Sequence, residues 1–253
     1  ETALLNKLIV RETNKIESLK KELIDATPDY LLVVDYGEII PLEILEIPKI
    51  AAINIHPSLL PKYRGPAPIH APLLYSEKET GVTWILMNDR MDAGDVIAQD
   101  KMPVSADDRY ESLSKKLSEH AGKRTGDVLI EFSKNKKGKP QDESKATYIK
   151  KIKKEDGLLR FAEEGAEQML GKIKAFSMWP GCYFMWNGKI LKVIEAEAGE
   201  QKISPTKIEC TKNMLAIGTT TNALLPLTVQ LEGKKPVSIK EFLNGQKSIP
   251  ESV

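Results

Sequence analysis

Residues 50–65 constrain the fold more than any other part of the chain. Residues 50–55 form an apolar run containing β-branched Ile50, Ile53 and Ile55, which predicts a strand entering a core. Successive side chains on a strand point to opposite faces, so Asn54 and His56 share one face and Ile53 and Ile55 the other. Pro57 has no N–H to give to a sheet ladder and ends the strand. Pro61, Pro66 and Pro68 stiffen the loop that follows. An amide and an imidazole are therefore expected side by side at a strand end, where ligands bind in open α/β sheets. On their own they read as a polar strand end that caps backbone groups. The adjoining loop and a later aspartate change that reading.

The flanking segments point to an α/β layer. Residues 14–26 predict a helix with Ile16, Leu19 and Leu23 on one face and a capping box from Asn14 to Glu17. The unbroken apolar run at residues 30–34 predicts a strand buried on both faces of a parallel sheet. Pro41 opens a short helix with Leu42 and Leu45 inward. Strand, helix and strand in succession argue for a Rossmann-like parallel sheet. Such a sheet normally begins with a strand and crossover helix of about 30 residues or more, so an N-terminal part is expected to be missing before Glu1.

Pro66 and Pro68 suit the start of a helix running to about residue 75. Pro72 would cost roughly 3 kcal/mol in its interior, so this helix is kinked, short or absent. His70 within it is taken as structural or exposed. Residues 82–87 and 96–99 predict two strands joined by a turn at Met91-Asp92-Ala93-Gly94-Asp95, which can aim Asp92 inward. A helix starts near Asp108, with Tyr110, Leu113 and Leu117 on one face, and a second apolar cluster follows at Val128, Leu129 and Phe132.

Charge separates what comes next. The whole chain carries a net charge of only +1, yet residues 134–154 hold nine lysines against Asp142 and Glu143, a net of +7. A basic connector of this kind is either a solvated linker or a junction for a polyanion. Beyond it, residues 161–176 predict an amphipathic helix. Asn187-Gly188 between two apolar runs predicts a β-hairpin, and further short strands complete a small OB-type β-barrel. The domains are then expected at 1–137, a basic linker at 138–156, and 157–253. No apolar run reaches the length of a membrane span and no signal peptide is visible. Cys182 and Cys210 lack metal-ligand spacing and the three histidines are scattered. That favours a reducing cytoplasm and no metal.

With Asn54, His56, the Ser58-Leu59-Leu60-Pro61-Lys62-Tyr63-Arg64-Gly65 loop and the Asp92 turn 36 residues after His56, the chain resembles the folate-dependent formyltransferases. It is most similar to the branch that formylates methionine on initiator tRNA. Residues 35–41, the linker from Ala146 to Asp156, Trp179-Pro180-Gly181 and Gly233-Lys234-Lys235 extend the resemblance over nearly the whole chain. It implies transfer of a formyl group from 10-formyltetrahydrofolate to the amino group of methionyl-initiator-tRNA, without a metal, by a monomer. By the same resemblance, Asn54 would hydrogen-bond the formyl oxygen as it becomes anionic. His56 would stabilise that oxygen or relay a proton. Asp92 would orient His56, favour its protonated form and hold a water that takes the proton of the amine. Ser58, Leu59, Leu60 and Pro61 would border the folate, and Ile39 and Ile40 would wall its pteridine. Lys150, Lys151, Lys153 and Lys154 are candidates for tRNA contacts. Amide, imidazole and carboxylate are also what acyl transfer needs on chemical grounds: an oxyanion donor, a proton carrier and an orienter. Alternative readings are a formyltransferase acting on a nucleotide-linked amino sugar, a formyl hydrolase, and a non-enzymatic RNA-binding protein. The +7 connector favours tRNA.

Overall fold

A computed structural model describes residues 5–13 and 15–253. A 3₁₀ turn (Ile16–Leu19) and helix α1 (Lys20–Ala26) precede the first strand, and Thr27 ends α1 in the left-handed conformation. The expected cap at Asn14 lies outside the described residues. Strands β1 (Tyr30–Val33), β2 (Ala51–His56), β3 (Glu79–Leu86) and β4 (Val96–Pro103) form one sheet in that order.

The sheet is mixed. β1 and β2 are parallel, whereas β3 runs antiparallel to β2 and β4 antiparallel to β3. Among the described residues, the parallel arrangement expected from sequence is therefore confined to β1 and β2. Connection length explains the last reversal: only residues 87–95 join β3 to β4, and a parallel crossover takes about a dozen residues or more. β1 is not buried on both faces either, since Leu32 is 42% exposed. Between β1 and β2 a single helical turn, α2 (Leu42–Leu45), meets the sheet through its C-terminal end. Ile44 and Leu45 pack there with Val33, Ile40 and Ala52, and Leu42 faces outward.

α3 (His70–Leu74) is one short helix. Pro72 is tolerated because it sits in the first turn, where backbone N–H groups have no intrahelical acceptor. α4 (Tyr110–Asn135) runs unbroken through both apolar clusters read from the sequence. Leu113, Leu117, Ala121, Thr125, Val128 and Phe132 make one stripe at helical spacing. Thr125 hides the continuity in the sequence, yet its hydroxyl accepts from the indole Nε1 of buried Trp84 at 3.0 Å.

The second half begins with α5 (Ala166–Ala175), five residues later than expected, because Gly165 and the Thr221 hydroxyl cap it at Ala166. Strands β5 (Cys182–Trp186), β6 (Lys189–Ala198), β7 (Ile208–Cys210), β8 (Leu215–Gly218) and β9 (Ala223–Leu231) follow. They pair antiparallel in the order β5-β6-β9-β8-β7, with β10 (Val237–Ser238) on β9, before α6 (Ile239–Asn244). The hairpin at Asn187-Gly188 forms as expected, with φ of 45° and 78°. Two register shifts in β6 around Glu195 bend this sheet. Its ladder remains an open path from β5 to β7, so the pairing makes a curled sheet and not the closed OB-type barrel expected from sequence.

The two halves share a core. Ile53, Val82, Trp84, Leu113 and Phe132 belong to the same buried cluster as Phe161, Met169, Phe184 and Trp186. α3 and α5 approach so closely that a Cβ on Gly171 would stand 2.8 Å from the Leu73 carbonyl. No helix among the described residues is long and apolar enough to cross a membrane.

Candidate active site

The end of β2 and the loop after it build the site. β2 presents Asn54 opposite Ile85 and His56 opposite Thr83. Beyond Pro57 the loop folds tightly. The Ser58 hydroxyl donates to the Lys62 carbonyl at 2.6 Å, and the Thr83 hydroxyl donates to the Ser58 carbonyl at 2.6 Å. The Leu60 N–H donates to Thr83 Oγ1, and the Gln99 amide donates to the Leu60 carbonyl at 2.9 Å. Thr83 and Gln99 thus clamp the loop from the sheet. Sequence reasoning missed both, because each lies inside an ordinary strand pattern.

Tyr63 has a positive φ of 61°, which turns its carbonyl back onto His56 Nε2 at 3.0 Å. A carbonyl only accepts, so Nε2 carries the hydrogen. That leaves Nδ1 facing Asp92 Oδ1 at 3.6 Å. Asp92 adopts φ 50° in the turn between β3 and β4. Its Oδ1 accepts from Asn54 Nδ2 at 3.2 Å and its Oδ2 from the Gly65 N–H at 2.8 Å. The three polar residues singled out in the sequence therefore meet at one place. His56 is only 4% exposed. Burial pushes its pKa below the ordinary 6.5, against the opposing pull of the Asp92 carboxylate and the Tyr63 carbonyl. The expectation that Asp92 favours the protonated ring holds in direction, but desolvation outweighs it.

The loop's far end is gripped by the lysine-rich segment. Arg64 is 1% exposed. Its guanidinium donates to both carboxylate oxygens of Glu143 at 2.9 and 3.0 Å, to Gln141 Oε1 at 2.8 Å, and to the Tyr148 hydroxyl at 3.1 Å. Backbone bonds join Arg64 to Thr147 and Ile149. Gly65 has φ 111°, and a Cβ there would come within 2.4 Å of the Ile149 carbonyl. Lys139 exchanges both backbone hydrogen bonds with Val96 at the start of β4. Residues 139–149 therefore form part of the frame of the site, which their polar composition concealed.

The remaining candidates divide by exposure. Ser58 and Leu60 are buried and shape the loop from beneath. Leu59 and Pro61 line a cavity of about 550 Å³ with Tyr63, Thr80 and Gln99. Ile40 packs into the α2 cluster, and Ile39 is 85% exposed, so the two do not form one wall. Lys150, Lys151, Lys153 and Lys154 are all exposed, and Lys153 faces Glu155 at 3.8 Å.

The arrangement suits acyl transfer to an incoming amine. It has an amide donor, a neutral imidazole with one free nitrogen, and a carboxylate beside both. No protein nucleophile stands out among the described residues. The Ser58 hydroxyl is committed to a carbonyl, and Cys182 is buried with its thiol pushed up to about 12.

Comparison with known proteins agrees with this chemistry. Residues 4–129 match the family described as formyl transferase, and residues 151–247 match the formyl transferase C-terminal domain. The methionyl-tRNA formyltransferase of Thermodesulfovibrio yellowstonii is 37% identical over 241 residues, covering 93% of this chain and 76% of that protein. Among solved structures, HypX from Aquifex aeolicus in complex with tetrahydrofolic acid superposes with a TM-score of 0.66 at 22% identity, over 93% of this chain and 42% of HypX. The methionyl-tRNA formyltransferase from Clostridium thermocellum gives 0.57 at 21% identity, over 76% of this chain and 82% of that one. At these identities the structures establish the fold alone. The sequence matches go further, and the chain belongs to the formyl transferase family, in its methionyl-tRNA formyltransferase group.

Proposed function

We propose that this chain transfers the formyl group of 10-formyltetrahydrofolate to the amino group of methionine on initiator tRNA. The observation that carries this reading is the meeting of Asn54, His56 and Asp92 at one strand end. The chain's relatives at 32–37% identity bear the name of that activity.

The donor supplies the formyl carbon. Attack by the amine gathers negative charge on the formyl oxygen and positive charge on the nitrogen. Asn54 Nδ2 carries two N–H groups: one reaches Asp92, and the other is free for that oxygen. Such a donor is worth about 3 kcal/mol of barrier. His56 Nδ1 takes the proton of the amine, directly or through a water held at Asp92, and returns it to the departing folate nitrogen. Asp92 stabilises the imidazolium in between. The loop of Ser58, Leu59, Leu60 and Pro61 forms one border of the folate, held in shape by Thr83 and Gln99. Exposed Ile39 is available to the pteridine, while Ile40, packed with Val33, Ile44, Leu45 and Ala52, anchors the segment that carries it.

The acceptor reading assigns residues 1–137 to catalysis and the curled sheet of residues 157–253 to tRNA binding. The basic segment 138–156 lies between them. Exposed Lys150, Lys151, Lys153 and Lys154 would neutralise tRNA phosphates. The chain would act as a monomer in the cytoplasm.

The direct test supplies 10-formyltetrahydrofolate with methionyl-initiator-tRNA, and separately with a nucleotide-linked amino sugar. Formylation of the tRNA is expected. Formylation of the sugar with the tRNA ignored would overturn the acceptor, and consumption of neither would leave an RNA-binding protein.

A further inference from the structure

We propose that Gln141, in the basic segment, is a positioning residue for formyl transfer that sets where the Asp92 carboxylate stands. The proposal rests on the function proposed above.

Every hydrogen-bonding group of the Gln141 amide is used across the gap between the two site loops. Its Nε2 donates to the carbonyl of Asp92 at 2.8 Å and to the carbonyl of Gly94 at 2.8 Å. Its Oε1 accepts from Arg64 Nη2 at 2.8 Å and Nε at 3.2 Å. Carbonyls only accept and a guanidinium only donates, so a flipped amide would lose all four contacts. The orientation is fixed by its neighbours.

These bonds close a ring. Gly65, next to Arg64, donates its N–H to Asp92 Oδ2, so the chain of contacts runs Asp92, Gly65, Arg64, Gln141 and back to Asp92. Asn54 and Gly65 tether only the carboxylate of Asp92. Gln141 is what tethers its backbone. That matters because Asp92 sits at a positive φ, which a non-glycine residue leaves when its surroundings stop imposing it. Asp92 is the charged group that faces His56, and the Tyr63 carbonyl holds the other ring nitrogen. The separation of Asp92 from His56 is therefore set from the linker.

The test uses the full chain with Gln141→Glu, which keeps a partner for Arg64 but turns oxygens onto two carbonyls, and with Gln141→Met, which keeps the volume and removes every bond. Two measurements apply to each. Turnover on methionyl-initiator-tRNA should fall about ten- to a hundredfold with KM nearly unchanged, since misplacement by about 1 Å costs about a hundredfold. The NMR titration of His56 is traced without substrate, one of only three histidines in the chain. It should move to lower pH in both variants as the carboxylate that supports its protonated form drifts away. Folded variants with an unmoved His56 titration and undiminished kcat would overturn the proposal. A wild-type chain that ignores charged tRNA would instead overturn the function reading, and the titration would still decide the placement. If Gln141→Glu fails to fold, Gln141→Met carries the same two outcomes.

Discussion

The Oδ1 of Asp92 is shared between two residues of one strand: Asn54 donates to it at 3.2 Å, and His56 Nδ1 stands 3.6 Å from it. The imidazole is held by its other nitrogen, on the Tyr63 carbonyl. Its reactive nitrogen therefore faces a carboxylate without being locked to it. Buried groups of this kind titrate away from their ordinary values, and at a catalytic centre the direction decides the chemistry.

The first consequence is a pH profile. Burial holds His56 below 6.5, so the ring is neutral and Nδ1 is free at neutral pH. The limb of kcat that reports His56 should lie on the acid side of 6.5, with activity lost as pH falls through it. Asp92→Asn removes the charge that opposes burial, so the limb should move to still lower pH while kcat drops by orders of magnitude. A rate profile over pH 5–8 for both proteins measures this. A limb above 6.5, or one that rises in the variant, would contradict the role assigned to Nδ1.

Asn54→Ala removes the amide donor and one of the two hydrogen bonds on the Asp92 carboxylate, leaving that from Gly65. The loss should fall on kcat, by about 10²–10³-fold, because the donor acts on charge that exists only in the transition state. KM for donor and for tRNA should stay within a few-fold of the wild type. Steady-state kinetics on both substrates separates the two. A loss carried by KM would make Asn54 a ground-state binding group instead.

The strand end was legible in the sequence because period-2 alternation and Pro57 together fix both the face and the stopping point. Asp92 was legible through its position between two strand patterns and its 36-residue spacing from His56. What stayed hidden depends on contacts between distant segments. Gln141 and Arg64 lie 77 residues apart, and nothing in the local pattern of either predicts the bond between them. The parallel pairing of β1 with β2 was legible from the strand–helix–strand succession, whereas nothing in the apolar run of residues 82–87 says that β3 would run antiparallel to β2. The barrel was over-read from strand count, whereas closure depends on whether the edge strands find each other.

Gly65 links loop and linker through a conformation that a side chain resists. Its φ is 111°, and the Ile149 carbonyl lies 2.4 Å from where a Cβ would stand. Gly65→Ala should therefore cost about 1–3 kcal/mol in backbone strain, with the steric clash added. It should also weaken the N–H contact to Asp92. Denaturant unfolding gives the first, and a fall in kcat beyond the loss of folded protein gives the second. Wild-type stability in this variant would mean that the close approach is unnecessary.

His70 packs on Tyr110 with the rings tilted by 33° and their centroids 4.4 Å apart, and its Nδ1 is buried without a partner. Burial lowers its pKa to about 4 from 6.5. The unfolded chain therefore takes up a proton below 6.5 before the folded chain does. The stability held by the neutral ring is present above 6.5 and is lost as pH falls toward about 4. His70→Gln should flatten that part of the stability curve, read as the urea midpoint at pH 7, 6, 5 and 4. Parallel curves for the two proteins would show that the ring contributes nothing to the loss.

The basic segment offers the cleanest separation of binding from chemistry. Lys150, Lys151, Lys153 and Lys154 are exposed, and none of them touches Asn54, His56 or Asp92. Each lysine that neutralises one phosphate adds about 0.9 to the slope of log affinity against log salt. Replacing all four with glutamine should therefore weaken tRNA binding and lower the slope by up to about 3 to 4. At saturating tRNA, kcat should stay near the wild-type value, because the reacting groups are untouched. The change should also be similar for initiator and elongator tRNA, since phosphate contacts carry no sequence information. Filter binding from 50 to 200 mM salt measures both. An unchanged slope would move the tRNA path off this segment and onto the curled sheet.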